Sequence, residues 1–370
     1  MSKSSNYDTI DSIVTNLRKE WGLSMSKKIP QGKWEEPKYP KKQIDLAGKT
    51  IASPSLNPEE LHAALEVVNN WRASHAYPLQ VITNNLRLNN RNAIVVQRLK
   101  RLDSIIGKLK RYPGMNLYRM GDLGGCRVIV DSVDDVYESV SRYRNSRIRH
   151  ILKRETDYIK NPKTSGYRSY HLIYQFYSDR KDTYNKNMLI EIQFRTKLQH
   201  IWATAVEIMG IYTKTSLKSS MGDENILRFF VLVSSVFAKI ENMSICPDTS
   251  DDYNELIEEI KTIDDELHII HILCNLTVVI EQTKEIQSEN RKKISYYILA
   301  QNYERRILKI YPFTSNQIEL ATKTYNRLES VPSINVVLVS ATSFDTLKAA
   351  YPNYFVDIGK FAEIMRRILS

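Results

Sequence analysis

The sequence predicts an α+β protein, because strand-like and helix-like patterns both recur along the chain. Residues 188–196 (Met-Leu-Ile-Glu-Ile-Gln-Phe-Arg-Thr) alternate apolar and polar side chains, which is the pattern of a strand with one buried face. A second apolar segment, residues 126–130, follows a bend that contains two glycines. Residues 224–242 and 251–288 repeat apolar side chains at helical spacing.

The N-terminal part is predicted to be helical, with a basic linker. Residues 7–24 have the pattern of a short amphipathic helix, and residues 27–42 are basic and interrupted by three prolines. Asn57, followed by a proline and two glutamates, predicts a helix from Pro58 to about His75. Apolar residues at helical spacing also predict a helix between residues 91 and 111: Val95, Leu99, Leu102, Ile106 and Leu109.

The rest of the chain is predicted to alternate loops, strands and helices. The central elements are a turn at 112–115, a strand at 126–130, a helix at 131–141, a loop at 157–167 and a strand at 171–176. The C-terminal elements form a small α/β unit, with strands at 295–301 and 334–340 and helices at 315–328, 343–350 and 356–369.

Composition sets broad limits on function. A chain of 370 residues with 42% hydrophobic residues is long enough for two domains with packed cores. The net charge of +11 favours a polyanionic partner, and nucleotides, RNA and anionic membranes all meet that description. Charge alone therefore does not identify the partner.

The cysteines and the apolar runs indicate a cytoplasmic protein that does not enter a membrane. The three cysteines are widely spaced and odd in number, which is typical of a reducing compartment. There is no Cys-x-x-Cys pair, so a zinc ribbon is not expected. The N-terminus lacks a signal pattern, and the longest apolar run, residues 226–240, is too short to cross a bilayer.

Two carboxylates are the leading candidates for catalysis. Asp122 comes just before the predicted strand at 126–130, and Glu191 lies in the middle of the strand at 188–196, where a carboxylate is unfavourable. If the two strands are neighbours, both side chains could hold one divalent cation. The alternative is that Glu191 lies on the solvated face of an edge strand.

Four motifs, in this order, resemble the synthetase domain of the RelA/SpoT family, which moves pyrophosphate from ATP to a ribose 3′-hydroxyl. The resemblance covers roughly residues 85–212, and the length and the C-terminal region are more similar to CapRel, a fused toxin–antitoxin branch of that family. The motif residues are Arg98 and Lys100 with Lys108; Asp122 with Arg127; Lys163 with Gly166, Tyr167, Arg168, Ser169 and His171; and Glu191 with Gln193, Arg195 and Thr196.

The resemblance implies roles for the residues that follow. Asp122 and Glu191 would be the catalytic pair and the Mg²⁺ ligands, with Glu191 alternatively activating the 3′-hydroxyl. Donor ATP would bind through Arg98, Lys100 and Lys108, with Arg98 also stacking on adenine. The acceptor would be bound by Arg154, Lys163, Tyr167, His171 and Gln193, with Arg195 in support. Without the resemblance, the basic residues could be a solvated face and Tyr167 a packing residue at a strand end.

The resemblance also implies the architecture. The fold would be a mixed β-sheet, nucleotidyltransferase-like synthetase domain flanked by helices, followed by a helical connector and a small C-terminal α/β pseudo-zinc-finger domain. The domains would span 1–57 (N-terminal helix and basic linker), 58–215 (pyrophosphokinase), 216–292 (connector) and 293–370 (regulatory antitoxin). Tyr351 and Tyr354 would insert at the donor site and inhibit the enzyme, although two such tyrosines could equally be packing residues. No histidine follows His271, so an alarmone hydrolase and a zinc site are not expected.

The acceptor is the main open question. Thr156 and Ser165 stand where guanosine-nucleotide synthetases of the family usually have a basic residue and an asparagine, which favours another acceptor. We expect an ATP- and Mg²⁺-dependent enzyme that modifies the tRNA acceptor end, blocks translation and is released by a phage capsid protein. The alternatives are synthesis of an alarmone from ATP and GDP or GTP, synthesis of an adenosine alarmone, and a catalytically dead nucleotide- or RNA-binding module.

Overall fold

The fold is described by a computed structural model. It covers residues 34–53, 57–213, 217, 222–275, 279–282, 294–302, 307–331, 334–341, 343–355 and 358–370. The predicted helix at 7–24, residues 27–33 of the basic linker and the end of the predicted helix at 251–288 lie outside these residues.

A single mixed β-sheet runs through the described part of the chain, and the predicted α+β class with a mixed sheet is confirmed. Its nine strands are ordered β3-β4-β5-β2-β1-β9-β7-β8-β6. The β2–β5 and β6–β8 pairs are parallel, and the other pairs are antiparallel. The strands are β1 (Ile94–Leu99), β2 (Gly124–Val130), β3 (Ile151–Asp157), β4 (Tyr170–Gln175), β5 (Leu189–Thr196), β6 (Val279–Gln282), β7 (Ile294–Asn302), β8 (Ile307–Thr314) and β9 (Ile334–Ser340).

Helices flank this sheet. Those in the first half are α1 (Lys41–Ala52), α2 (Pro58–Ser74), α3 (Ala76–Asn89), α4 (Leu102–Arg111), α5 (Val133–Arg144) and α6 (Lys197–Tyr212). Those in the second half are α7 (Glu224–Ile240), α8 (Tyr253–Leu267), α9 (Ile269–Asn275), α10 (Ile318–Glu329), α11 (Phe344–Ala350), α12 (Pro352–Phe355) and α13 (Gly359–Leu369). In the described ranges no helix is both long and apolar enough to span a bilayer.

Several predicted elements are confirmed, because local sequence signals fix their ends. Asn57 caps α2 by accepting a hydrogen bond from the Glu59 amide at 3.1 Å. The predicted strand at 334–340 matches β9, and the predicted strand at 171–176 overlaps β4. A helix that was not predicted, α6, has a local signal as well, because it starts with a capping box between Thr196 and Gln199 directly after β5.

The single helix predicted between residues 91 and 111 is wrong. Its first half is the strand β1, and only its second half is the helix α4. The first half contains the β-branched run Ile94-Val95-Val96, which favours a strand, and β1 pairs with β2 along its whole length. Arg98 and Lys108 therefore do not share a helix face.

The long helix predicted at 251–288 is also wrong beyond residue 267. The α8 helix ends at His268, which has the left-handed backbone conformation (φ 52°), and the short helix α9 follows. The chain then forms the strand β6. No sequence pattern predicted α1, α3, β3, α6 and β8.

The sheet continues across the domain boundary predicted at residue 293. The edge of β1 pairs with β9 through Gln97 with Ser340 and Arg98 with Val339. Val96 of β1 is buried in the same apolar cluster as Val337 and Val339. The described C-terminal residues form an α/β unit, as predicted, and this unit extends the sheet of the first half.

Candidate active site

The two candidate carboxylates line one cavity of about 190 Å³ on a face of the sheet. Parallel pairing of β2 with β5 sets Gly125 beside Glu191, and antiparallel pairing sets Arg98 beside Gly125. Residues paired across neighbouring strands point to the same face of a sheet. Arg98 and Glu191 are both paired with Gly125, so their side chains share one face. The lining residues are Val96, Arg98, Lys100, Asp122, Gly125, Cys126, Arg127, Glu191, Gln193 and Tyr351.

Asp122 is neutralised by two lysines. Its carboxylate accepts hydrogen bonds from Lys100 at 2.8 Å and from Lys108 at 2.9 Å. The Lys100 amide donates to the carbonyl of Leu123 at 2.8 Å, which holds Lys100 alongside Asp122. Burial lowers the pKa of Lys100, although Asp122 opposes this effect. The predicted donor-site residues Lys100 and Lys108 therefore meet at Asp122, although the helix predicted between residues 91 and 111 is wrong.

Glu191 belongs to a chain of hydrogen bonds. It accepts from His171 Nδ1 at 3.1 Å and from the Gln193 amide at 2.7 Å. The other ring nitrogen of His171 lies 2.9 Å from the Tyr167 hydroxyl, and Arg195 donates to that hydroxyl at 2.8 Å. Arg195 also donates to Gln193 at 2.7 Å. These five side chains, which we call the polar chain, fix the orientation of the Glu191 carboxylate.

The polar chain shifts the pKa values of its members. Burial acts to raise the pKa of Glu191, but its contacts with His171, Gln193 and Lys108 lower it overall. Burial acts to lower the pKa of His171, but Tyr167 and Glu191 raise it to about 9. Burial also acts to raise the pKa of Tyr167, but Arg195 and His171 bring it down to about 7. Glu191 is therefore anionic at neutral pH, with His171 protonated beside it.

The predicted acceptor residues divide into two groups. Tyr167, His171 and Gln193 lie in the polar chain next to Glu191. Lys163 lies outside the cavity, with its ammonium 5.2 Å from the centre of the Tyr167 ring. Arg154 is exposed on β3 and is not among the residues that line the cavity.

Tyr158 is a neighbour of this site that the sequence analysis did not select. Its ring centre lies 5.2 Å from that of His171 and 6.0 Å from that of Tyr167. The Lys163 ammonium lies 4.6 Å from the centre of its ring. A tyrosine in a loop has no distinctive sequence pattern, so only its spatial position reveals it.

Of the two candidate inhibitory tyrosines, one reaches the cavity. Tyr351 is 2% exposed, lines the cavity and donates its hydroxyl to the carbonyl of Gln97 at 3.0 Å. Burial raises its pKa to about 12, although Arg98 and Arg127 oppose this. Tyr354 is buried in the apolar cluster behind Tyr351 and is not a lining residue.

Arg127 is a motif residue to which the sequence analysis gave no role. It lies on β2, and its guanidinium donates to the carbonyl of Ala350 at 3.3 Å. Burial, with repulsion from Arg195 and Arg98, lowers its pKa to about 9. Besides its place in the motif, the sequence signal was an arginine within an apolar strand, where a charge needs an anionic partner.

Comparison with known proteins gives this site a family context. Residues 97–216 match the family model described as "Region found in RelA / SpoT proteins". This part of the chain is therefore similar to RelA/SpoT proteins. The matched region contains every lining residue of the cavity except Val96 and Tyr351. Tyr351 is therefore contributed by a part of the chain outside the matched region.

Two curated relatives from Bacillus subtilis (strain 168) are similar to this domain. The chain is 36% identical over 112 residues to GTP pyrophosphokinase YjbM, which covers 30% of the chain and 52% of that protein. It is 32% identical over 113 residues to GTP pyrophosphokinase YwaC, covering 29% of the chain and 52% of that protein. The chain thus spans about half the length of these relatives.

Solved structures are also similar to part of the chain. The small alarmone synthetase 1 from Bacillus subtilis, bound to its product pppGpp, has 24% identity and a TM-score of 0.37, covering 45% of this chain and 90% of that one. A GTP pyrophosphokinase family protein from Streptococcus pneumoniae has 25% identity and a TM-score of 0.38, covering 57% of this chain and 96% of that one.

The donor set of the cavity fits magnesium. Asp122 and Glu191 both line the cavity, and carboxylate oxygens are the ligands that Mg²⁺ prefers. Within the described ranges no group of three or more His, Cys, Asp or Glu residues could hold a metal by itself. Two carboxylates are sufficient for Mg²⁺, because it usually takes its remaining ligands from substrate phosphates and water.

Proposed function

We propose that this protein is a pyrophosphokinase that transfers pyrophosphate from ATP to a ribose 3′-hydroxyl. We call the cavity of about 190 Å³ the donor cavity. The observation that carries the proposal is that two carboxylates and three cations meet around it: Asp122, Glu191, Arg98, Lys100 and Lys108. Phosphoryl transfer depends mainly on positioning and on neutralising charge, and this cavity provides carboxylates for a metal and cations for phosphates.

Each of these residues has its own role in the proposed reaction. Lys100 and Lys108 pair with Asp122 in this structure, and with ATP bound they would donate to its phosphates while Asp122 would hold Mg²⁺. The low pKa of Glu191 favours a metal ligand over a general base, because a weakly basic carboxylate accepts a proton poorly. The 3′-oxygen attacks the β-phosphorus and its proton passes to water, the bond from that phosphorus to the α-phosphate oxygen breaks, and AMP leaves. Bound Mg²⁺ would neutralise the charge on the transferred group.

The test is transfer of label from ATP carrying ³²P at the γ-phosphate. We expect Asp122→Asn and Glu191→Gln each to reduce transfer by at least about 10²-fold, since each removes charge that the transition state needs. Asp179→Asn, in the exposed pair with Arg149, is the matched control and should retain activity. Full activity in either cavity variant, with a normal melting temperature, would remove that residue from the mechanism.

For the acceptor, we propose the 3′ end of tRNA. The net charge of +11 suits a nucleic acid, and Thr156 pairs with His171 in the β3–β4 ladder, so the family's usual basic residue is missing next to the site. The relatives named GTP pyrophosphokinase favour the second candidate, an alarmone made from ATP and GDP or GTP. The same assay separates them, because label appears on tRNA, on a guanosine nucleotide or on neither.

We also propose that the C-terminal region acts as a fused antitoxin. The donor cavity is about 190 Å³ with Tyr351 at its wall, whereas sites for small ligands usually measure about 300–1,000 Å³. Tyr351→Ala should therefore raise transfer and make expression toxic. Tyr212→Ala, at an exposed tyrosine on α6, is the control and should behave as the unmodified protein. Unchanged transfer in a folded Tyr351→Ala protein would contradict autoinhibition.

A phage structural protein is the activator that the resemblance to CapRel suggests. Binding to the C-terminal region would draw Tyr351 out of the donor cavity and so connect infection to arrest of translation. Purified major capsid protein should raise transfer by the unmodified chain and have little effect on Tyr351→Ala, which is already open. Equal stimulation of both proteins would show that the activator works by another route.

A further inference from the structure

A second cavity, of about 280 Å³, lies where the C-terminal helices meet the RelA/SpoT-type domain. We call it the seam cavity. One side is formed by the ends of β1 and β2 and by α6, and the other by α11 and the start of α13. Its lining residues are Ile94, Ile129, Lys197, His200, Ile201, Thr204, Asp345, Lys348, Ala349, Ile358, Lys360 and Phe361.

The inner surface of the seam cavity is apolar. Ile129, Ile358 and Phe361 are buried, and Ile94 and Ile201 are half-buried beside them. Five large apolar side chains around one space would favour an apolar guest, since burying apolar surface contributes about 25 cal/mol for each Å². The size is close to the lower end of the usual range for small-molecule sites, about 300 Å³.

The rim of the seam cavity is cationic. Among the described lining residues, the rim contains Lys197, Lys348 and Lys360 and one carboxylate, Asp345. Lys197 also pairs with Asp131 outside the cavity, and Lys360 lies in the first turn of α13. The α13 helix begins here with no side-chain cap and no acidic residue in its first turn, which adds to the positive potential.

We propose that the seam cavity binds a small organic anion with an apolar body, and that this ligand holds the C-terminal helices against α6. An aromatic or branched carboxylate meets both requirements, because its body fits the apolar interior and its charge fits the lysine rim. The cavity has walls from both parts of the chain. A ligand that contacts both walls therefore binds only when they are apposed, and it stabilises that arrangement.

One segment of the chain, at the C-terminal end of α11, links the seam cavity to the donor cavity. Lys348 and Ala349 line the seam cavity, the carbonyl of Ala350 accepts a hydrogen bond from Arg127, and Tyr351 lines the donor cavity. Four consecutive residues thus join the two sites. The ligand would act as a co-repressor of the enzyme, a consequence that rests on the proposed function, whereas the binding itself does not.

The binding test uses 3-phenylpropanoate as the probe and its neutral analogue 3-phenylpropanamide as the matched ligand, with calorimetry on the full chain. We expect one saturable site for the anion and binding of the amide weaker by about ten-fold or more, which is about 1.4 kcal/mol. Lys360→Glu should weaken binding of the anion by a similar factor. Ala349→Trp should abolish binding, because the indole fills the cavity.

Lys261→Glu, at a lysine on the outer face of α8, controls for loss of net charge and should bind the probe normally. Equal affinity for acid and amide, or normal binding to both Lys360→Glu and Ala349→Trp, would overturn the site. In the label-transfer assay, 3-phenylpropanoate should lower activity of the unmodified chain and leave Ala349→Trp unaffected. Probe binding with no transfer even by Tyr351→Ala would count against the enzyme and leave the site standing. Transfer without probe binding would count against the site and leave the enzyme standing.

Discussion

Glu191 shows how a single carboxylate is held in place by its neighbours. Its two oxygens are occupied by different donors, His171 at one and Gln193 at the other. Each donor is in turn held by a further side chain, Tyr167 or Arg195. The carboxylate is therefore already ordered and would lose little side-chain freedom on binding a metal. Outer contacts of this kind improve metal affinity.

The first prediction concerns His171. Its pKa is raised to about 9 because Tyr167 and Glu191 outweigh the effect of burial. Glu191→Gln removes one anionic partner, so the pKa of His171 should fall towards its ordinary value near 6.5. The measurement is an NMR titration of the His171 Cε1 proton, assigned by its absence in His171→Gln. Glu138→Gln, on the surface of α5, should leave the titration unchanged, and an unshifted His171 in Glu191→Gln would disprove the pairing.

At the scale of elements, the Gly166-Tyr167 turn connects the active site to the helices behind it. Gly166 has a φ of 82°, in the left-handed region, and a Cβ there would approach Ser234 and Trp202 to 3.0 Å. The Ser234 hydroxyl donates to the Gly166 carbonyl at 2.6 Å. The turn therefore rests directly on α6 and α7, and this contact positions the Tyr167 hydroxyl.

The second prediction compares two glycines. Gly166→Ala should destabilise the fold by about 1–3 kcal/mol, through backbone strain and the close contacts, and should also lower pyrophosphate transfer by displacing Tyr167. Gly107→Ala should stabilise it by about 0.5–1 kcal/mol. That glycine lies inside α4 with nothing within 4 Å of an added Cβ. Urea unfolding measures both, and equal effects of the two substitutions would contradict this account of the turn.

At the scale of the whole molecule, a buried ion pair joins the C-terminal region to the first half. Arg72 of α2, 1% exposed, donates to Glu329 of α10 at 2.6 Å. The other oxygen of Glu329 accepts from the Leu102 amide at the start of α4, at 2.8 Å. Glu329 thus holds together α2, α4 and α10, and α4 also carries Lys108.

The third prediction tests this connection. Glu329→Gln should cost about 3–5 kcal/mol of unfolding free energy, because it leaves the Arg72 guanidinium buried without a counter-charge. Glu319→Gln on the same helix removes an exposed pair with Lys323 at 3.3 Å and should cost less than about 1 kcal/mol. Urea unfolding gives both values. Costs of similar size would show that the buried pair does not hold the two regions together.

The proposed autoinhibition requires a partner that binds the open chain better than the closed one. To turn a chain that is closed about 99% of the time into one that is open about 99% of the time, the partner must favour the open form by about 5.5 kcal/mol. Release would also uncover the edge of β1, where Gln97 and Arg98 pair with β9. In this structure the C-terminal region therefore covers the donor cavity and an edge of β1 that would otherwise be exposed.

The sequence by itself predicted the mixed α+β class, the strand that carries Glu191, the cap of α2 and the strand β9. These follow from alternation, capping and β-branched runs, which act within a few residues. It failed where one apolar stripe suited a helix or a strand equally, as in residues 91–111, and where His268 ended a helix without a glycine or proline.

Only the tertiary structure decided which distant residues share a cavity. The pairing of β1 with β9 brings Tyr351 beside Arg98 and Arg127, and Glu329 beside Arg72. No local pattern encodes these meetings, because strand order and helix packing depend on the burial of the whole chain. Residues more than two hundred positions apart in the sequence therefore become neighbours only when the sheet is complete.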